Sequence, residues 1–312
     1  MVQTLFNETV NLIKKPFTFL FEWRPYSPFR FFMYFFMFSS VPMFYYGINT
    51  YDFDFLLIIL YSIIVFYTGF FAVIIWNDIC DSDIDTIIHP KRALPMKKIS
   101  SKKFFIVALI FSGLVFIFSL LVNFSCFIFV GLAALFVAFH NKYLRRKIKF
   151  PAYSEIVTPL QWTIIPIFGF LAVENSYILD MILLFSFTYL ADGAHDYPEG
   201  IHDAKGDRTV GIMTFTTSFN ERIAAIISFI MLFLAGLVGI ALYLLTSLSI
   251  IFLILFVSLW IYTLFYSFKY LRMNLEKMQH FGLKIGLKIY RFFWATYVFI
   301  FIDIIIQIFQ MK

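Results

Sequence analysis

The sequence predicts an all-α, polytopic membrane protein, and three observations carry that prediction. Of 312 residues, 61% are hydrophobic and only 14% are charged, where a soluble domain carries roughly 25% charged residues. Uncharged apolar runs long enough to cross a bilayer recur along the whole chain. Basic residues fall in alternate connections between those runs. A bilayer offers no water to unpaired backbone groups, so such runs must be helices.

Nine spans follow, near residues 30–49, 55–76, 104–122, 124–140, 156–173, 178–195, 222–246, 248–268 and 290–310. At 1.5 Å per residue each approaches a hydrocarbon thickness of about 30 Å, the fourth and fifth being short. The polar stretches between them are too short to bury a core, so residues 1–312 are expected to form one membrane domain. The first residues lack the small-residue cleavage site of a signal peptide. Cys80 and Cys126 fall near opposite faces and give no disulfide framework.

Orientation comes from the cations. Every Lys and Arg except Lys312 falls before span 1 or after spans 2, 4, 6 and 8. The positive-inside rule makes that face cytoplasmic, with the N-terminus inside and the C-terminus on the opposite side. The net charge of +6 is therefore a matter of topology and lipid headgroups, and no nucleic-acid partner is expected.

Span 2 ends in "NDICDSDID", residues 77–85. If the helix continues, Asn77, Asp78, Asp81 and Asp85 share an arc of about 100°, and Asp83 points away. A helix C-terminus disfavours negative charge, so a solvated helix end is a poor account of these residues. Four oxygen donors without His or Cys suit Mg²⁺, which is bound through carboxylates and substrate phosphates. An EF-hand is excluded, because its invariant Gly and closing Glu are missing. Arg92, in "HPKRALP", is placed to pair with a phosphate.

Span 6 ends in "ADGAHDYPEGIHDAKGDRTVG", residues 191–211. Asp192, Asp196, Glu199, Asp203 and Asp207 recur there at helical spacing. Pro198, Gly200 and Gly206 predict an interrupted helix. Asp203 and Asp207 form the sharpest pair, with Lys205 and Arg208 beside them. Two acidic clusters four spans apart suggest two weakly similar halves, about 28–150 and 151–268, with a ninth helix added. So many carboxylates around one central cavity, open to the cytoplasmic face, repel one another unless cations compensate. Two Mg²⁺ ions bridging a diphosphate would do so. Asp303, inside span 9, is expected to meet a structural partner.

Asn77-Asp78-x-x-Asp81-x-x-x-Asp85, with Asp203-x-x-x-Asp207, resembles the paired motifs of the UbiA superfamily of intramembrane prenyltransferases. The resemblance extends to Arg24-Pro25 before the first helix and to "NKYLRRK", residues 141–147, after the fourth. Many relatives follow the first motif with a form of "RPIPSG". Here "RALPMK" keeps Arg92 and Pro95 and loses the Ser-Gly.

The resemblance implies Mg²⁺-dependent transfer of an isoprenoid chain from a prenyl diphosphate to a small lipophilic acceptor. Asn77, Asp78, Asp81 and Asp85 would hold one ion, and Asp203 and Asp207 the other. Asp78, Asp81, Asp203 and Asp207 would be the catalytic carboxylates. Arg92, Lys142, Arg145, Lys205, Arg208 and Tyr143 are diphosphate candidates. Arg24 and Asp196 are assigned to the acceptor. Cations stabilise the leaving group, and aromatic faces stabilise an allylic cation kept from water. A UbiA-type terpene cyclase would share the site without needing an acceptor. A cation-coupled transporter is the alternative of another class, although its site would normally lie near the bilayer midplane.

Overall fold

The computed structural model describes residues 27–46, 53–80, 82, 85–86, 92–144, 148, 150, 153–173, 178–210 and 213–310. Among them the regular structure is helical. The main helices are α1 (Ser27–Tyr46), α2 (Phe53–Cys80), α3 (Ser101–Val122), α4 (Phe124–Phe139), α5 (Tyr153–Ala172), α6 (Ile178–Val210), α7 (Glu221–Leu245), α8 (Ile250–Leu271) and α9 (Leu275–Gln310). Seven of these, α2, α3 and α5 to α9, contain a segment long and apolar enough to cross a membrane; α1 and α4 carry shorter apolar stretches.

The helix starts are set by side-chain caps, which satisfy amide groups that helix geometry leaves over. Ser100 accepts from Lys103 N and Asn220 from Ile223 N. Asn123 accepts from Cys126 N at 2.7 Å to start α4 and donates to Leu171 O at the end of α5. At the start of α8, Asp303 from α9 accepts from Ser249 N at 2.9 Å, from the Ser249 hydroxyl and from Phe252 N at 3.1 Å. Gln307 completes its shell at 2.7 Å. Asp303 is thus a buried anchor between two helices, the structural partner role expected of it.

Two helices outrun their predicted spans. α6 continues fifteen residues past the apolar run, to Val210, and α9 begins fifteen residues early, at Leu275. These extensions are one feature, because they pack against each other. Gly282 and Gly286 bring the backbones together in a small-x-x-x-small crossing. A Cβ at Gly282 would lie 2.3 Å from Pro198 O, and one at Gly286 2.8 Å from Glu199 Cγ.

The predicted interruption of α6 is corrected. Proline removes the hydrogen bond to the carbonyl four residues earlier. In α6 that carbonyl, Ala194 O, accepts from Ser228 Oγ of α7 at 2.5 Å. A neighbouring helix thus supplies the donor that Pro198 lacks, which is how prolines are tolerated in membrane helices.

α2, α1, α9, α6 and α5 form a closed circuit of neighbours. The two acid-bearing helices, α2 and α6, are not neighbours in that circuit, and both pack against α5.

Candidate active site

The first acidic cluster is built by the end of α2 and the turn that follows. Asp78 and Asp85 are almost fully buried. Both converge on Arg92: its Nη1 lies 2.8 Å from each Asp85 oxygen and 3.5 Å from Asp78 Oδ1. Asp78 and Asp85, two of the four donors expected on one helical face, therefore meet a cation. Asn77 Oδ1 is buried with no hydrogen-bond partner among the described residues. The donors are all oxygen, as a hard divalent ion requires. Asp81 and Asp83 lie outside the described residues, as do Arg24, Arg145 and the side chain of Lys142.

Arg92 is held by its own turn. Met96 N donates to Arg92 O, Lys98 N to Ala93 O and Lys97 N to Leu94 O. Lys97 takes a positive φ of 55°. It stands where the "RPIPSG" pattern has glycine, the residue that tolerates this conformation at least cost. A short π-helical turn, His140–Leu144, carries Tyr143 and packs against α2. Such turns concentrate at functional sites. The Tyr143 side chain is exposed and lies against Phe139.

The second cluster is spread along α6. In the unbroken helix Asp192, Asp196, Glu199, Asp203 and Asp207 fall within an arc of about 80° and extend over about 22 Å. Lys205 falls on the opposite side of the helix from this face. Arg208 pairs with Glu221 of α7 at 2.9 Å, and Gln279 donates to the same oxygen. Continuity of the helix thus separates these two cations from the carboxylates that flank them in sequence. Asp203 is exposed, and Asp207 is half-buried.

Two residues went unread in the sequence. Glu155 of α5 is buried and accepts from Phe215 N at 2.7 Å, tying α5 to the segment after α6. His195 lies between two carboxylates, with Nδ1 3.2 Å from Asp192 Oδ1 and Nε2 3.4 Å from Asp196 Oδ1. Asp192, His195 and Asp196 place ligand atoms within 4.8 Å of one another, but a cation there would have to displace the bonds already made to His195. An ionisable residue inside a membrane helix signals function by itself.

An aromatic chain runs from α2, about two turns before the first cluster, to His195 in the second. Tyr34 of α1 lies 6.4 Å from Phe70 of α2 and stacks on Trp162 of α5 at 6.1 Å. Trp162 meets Tyr290 of α9 at 6.2 Å, and Tyr290 meets His195 at 4.8 Å. Ring faces in such a wall attract a cation.

Apolar helices that carry two groups of carboxylates, with aromatic rings packed between those helices, define the chain as an all-helical membrane protein with a candidate intramembrane site. The family model described as the UbiA prenyltransferase family matches residues 31–295, and the chain belongs to that family. Curated relatives include the digeranylgeranylglyceryl phosphate synthases of Methanococcus maripaludis, 31% identical over 56% of this chain and 61% of the relative, and of Sulfurisphaera tokodaii, 28% identical over 44% and 49%. The chain spans about half the length of the curated relatives it matches. Among solved structures, one of digeranylgeranylglyceryl phosphate synthase in membranes has a TM-score of 0.64 at 18% identity, covering 87% of this chain and 93% of that one. A UbiA homologue from Archaeoglobus fulgidus bound to GPP and Mg²⁺ has a TM-score of 0.59 at 14% identity, covering 87% and 97%.

Proposed function

We propose that this chain is a Mg²⁺-dependent prenyltransferase that moves an isoprenoid chain from a prenyl diphosphate to a hydroxyl of a prenylated glycerol phosphate. The observation that carries the reading is the convergence of buried Asp78 and Asp85 on Arg92 in a chain of this family. The relatives' names supply the acceptor class, and the prenyl diphosphate and Mg²⁺ bound by the Archaeoglobus homologue supply the donor.

In this reading Asn77, Asp78, Asp81 and Asp85 hold one Mg²⁺, and Asp203 and Asp207 a second. When bound, these ions supply positive charge to the departing diphosphate. Arg92 leads the diphosphate contacts, with Lys142, Arg145 and Tyr143 grouped beyond α4. Lys205 and Arg208 take no part in this reading, because α6 turns Lys205 away from the acids and Arg208 is paired with Glu221. Arg24 remains the acceptor candidate before α1. Trp162, Tyr290 and Tyr34 line the path on which an allylic cation would form, and the apolar helices exclude the water that would quench it.

The chain forms one membrane domain of two similar halves plus α9, with nine crossings. Its N-terminus and a central cavity face the cytoplasm, and its C-terminus the other side. The distribution of Lys and Arg supports this arrangement.

Purified protein with geranylgeranyl diphosphate, geranylgeranylglyceryl phosphate and Mg²⁺ should form an ether-linked product. Activity should vanish with EDTA and return with Mg²⁺. Asp78→Asn and Asp203→Asn should each lower kcat by about a thousandfold, a loss comparable to removing a principal stabiliser of leaving-group charge. A cyclised hydrocarbon formed without acceptor would replace the transferase reading with the cyclase.

A further inference from the structure

His195 is a buried titratable group that the diphosphate site does not use. Its Nδ1 lies 2.5 Å from the backbone oxygen of Asp192 as well as near that residue's carboxylate. A carbonyl only accepts, so Nδ1 carries a hydrogen. Nε2 then faces Asp196 Oδ1 at 3.4 Å. A lone pair against a carboxylate would repel, so a proton lies between them, on nitrogen or on oxygen. With Asp192 ionised, the three side chains retain one net negative charge. In a site that excludes water, such a group is stabilised by taking up one proton and becoming neutral.

The burial is graded in the direction this requires. The Asp192 side chain is fully buried, His195 is 11% exposed and Asp196 is 18% exposed. Asp196 is thus the most exposed of the three side chains, while its Oδ2 is itself buried and has no hydrogen-bond partner among the described residues. It shares the face of Asp203 and Asp207, about 10 Å further along the helix from Asp203. The other titratable groups facing it are Glu199 on α6 and Glu155 from α5, with Tyr290 from α9 against the imidazole. The two carboxylates add negative charge around Asp196, and α7 contributes the neutral Ser228 nearby.

We propose that Asp196 is the base that removes the acceptor's hydroxyl proton, and that His195, steadied by Asp192, is the positioning residue behind it. The proposal rests on the prenyl-transfer reading above. The C–O bond of the prenyl diphosphate breaks and the diphosphate leaves with the electron pair. The acceptor oxygen gives a pair to the allylic carbon, and its proton passes to Asp196 and then to solvent. The products are a prenyl ether, diphosphate and one proton.

The test is the fate of the ionised donor. The full chain, in detergent with Mg²⁺, geranylgeranyl diphosphate and geranylgeranylglyceryl phosphate, partitions the prenyl group between ether (acceptor capture) and alcohol (water capture). Water is mobile and can lose its proton to the departing diphosphate, so the ratio of ether to alcohol reports the base. It is also insensitive to the fraction of a variant that folds. Asp196→Asn should lower the ratio about a hundredfold, the scale of a general base, and His195→Ala should lower it about tenfold. His195→Gln, which retains a donor toward Asp196, should fall between His195→Ala and the parent. An active parent whose ratio stays within twofold in Asp196→Asn or His195→Ala overturns the proposal alone. A parent that makes alcohol but no ether overturns the hydroxyl-acceptor assignment and the base with it. A parent that makes neither product overturns prenyl transfer itself.

Discussion

The two acidic regions solve the same electrostatic problem with different cations. At the end of α2, buried Asp78 and Asp85 are compensated by Arg92, which arrives from the following turn. Within α6, buried Asp192 and its neighbour Asp196 are compensated by His195, one turn or one residue away in the same helix. A guanidinium stays charged at any physiological pH and presents a fork suited to phosphate. An imidazole has two ring nitrogens and can share a proton with a carboxylate beside it. The first region is therefore suited to holding a constant charge and the second to moving a proton. Their surroundings differ in the same sense: the first ends at a polar turn, whereas the second is built about four turns inside a helix that must stay intact around a proline.

Among tests of this contrast, the largest effect should come from the arginine of the first region. Arg92→Ala should lower kcat/KM for the prenyl diphosphate about a hundredfold, since one preorganised donor to developing charge contributes on that scale. Arg208→Ala should change it less than threefold, because its partner is Glu221 and the guanidinium is about half exposed, where ion pairs contribute 0 to about 1 kcal/mol. Steady-state kinetics on the two variants decide the matter. Equal losses would mean that Arg208 leaves Glu221 for the substrate, and the contrast between the two regions would fail.

A smaller effect probes why the second region holds its shape. Ser228→Ala strands the Ala194 carbonyl that Pro198 leaves open, which should cost about 1 kcal/mol in thermal stability. Pro198→Ala restores the amide donor within α6. In that background Ser228→Ala should cost much less, so the double-mutant cycle should give a coupling of about 0.5–1 kcal/mol. Additive losses would show that Ser228 acts on something other than the proline gap.

Much of this was legible in the sequence, for a physical reason. Apolar run length and charge asymmetry report the bilayer directly, and the helices found begin or end within a few residues of the predicted spans except where α6 and α9 leave the apolar region. There hydropathy stops reporting helix, and the glycines at 282 and 286 become the only local sign that two charged helices pack closely. Carboxylate spacing pointed to the end of α2, where Asp78 and Asp85 meet Arg92, and to the acidic stretch that α6 carries. It could not reveal that α6 runs on through Pro198, because the compensating hydroxyl lies on α7. For the same reason Lys205 and Arg208 read as neighbours of the acids. His195 and Glu155 were missed because their roles depend on what packs around them. Each sits beside residues whose chemistry announced itself more loudly.

The mildest test returns to the turn that holds Arg92. The sequence departs from the relatives' pattern at Lys97, and the backbone there keeps the conformation that the pattern's glycine would favour, with φ at 55°. A non-glycine residue in this region costs about 1 kcal/mol, and the turn survives because Met96 N and Lys98 N bond back to Arg92 O and Ala93 O. Lys97→Gly should therefore raise thermal stability by up to about 1 kcal/mol, reduced by the greater freedom glycine gives the unfolded chain. Lys97→Ala keeps the Cβ and removes only the charge, so it should give no gain. If alanine stabilised as much as glycine, the gain would come from relieving repulsion among Lys97, Lys98 and the following lysines. The turn would then owe nothing to its backbone, and the seat of Arg92 would be set by charge alone.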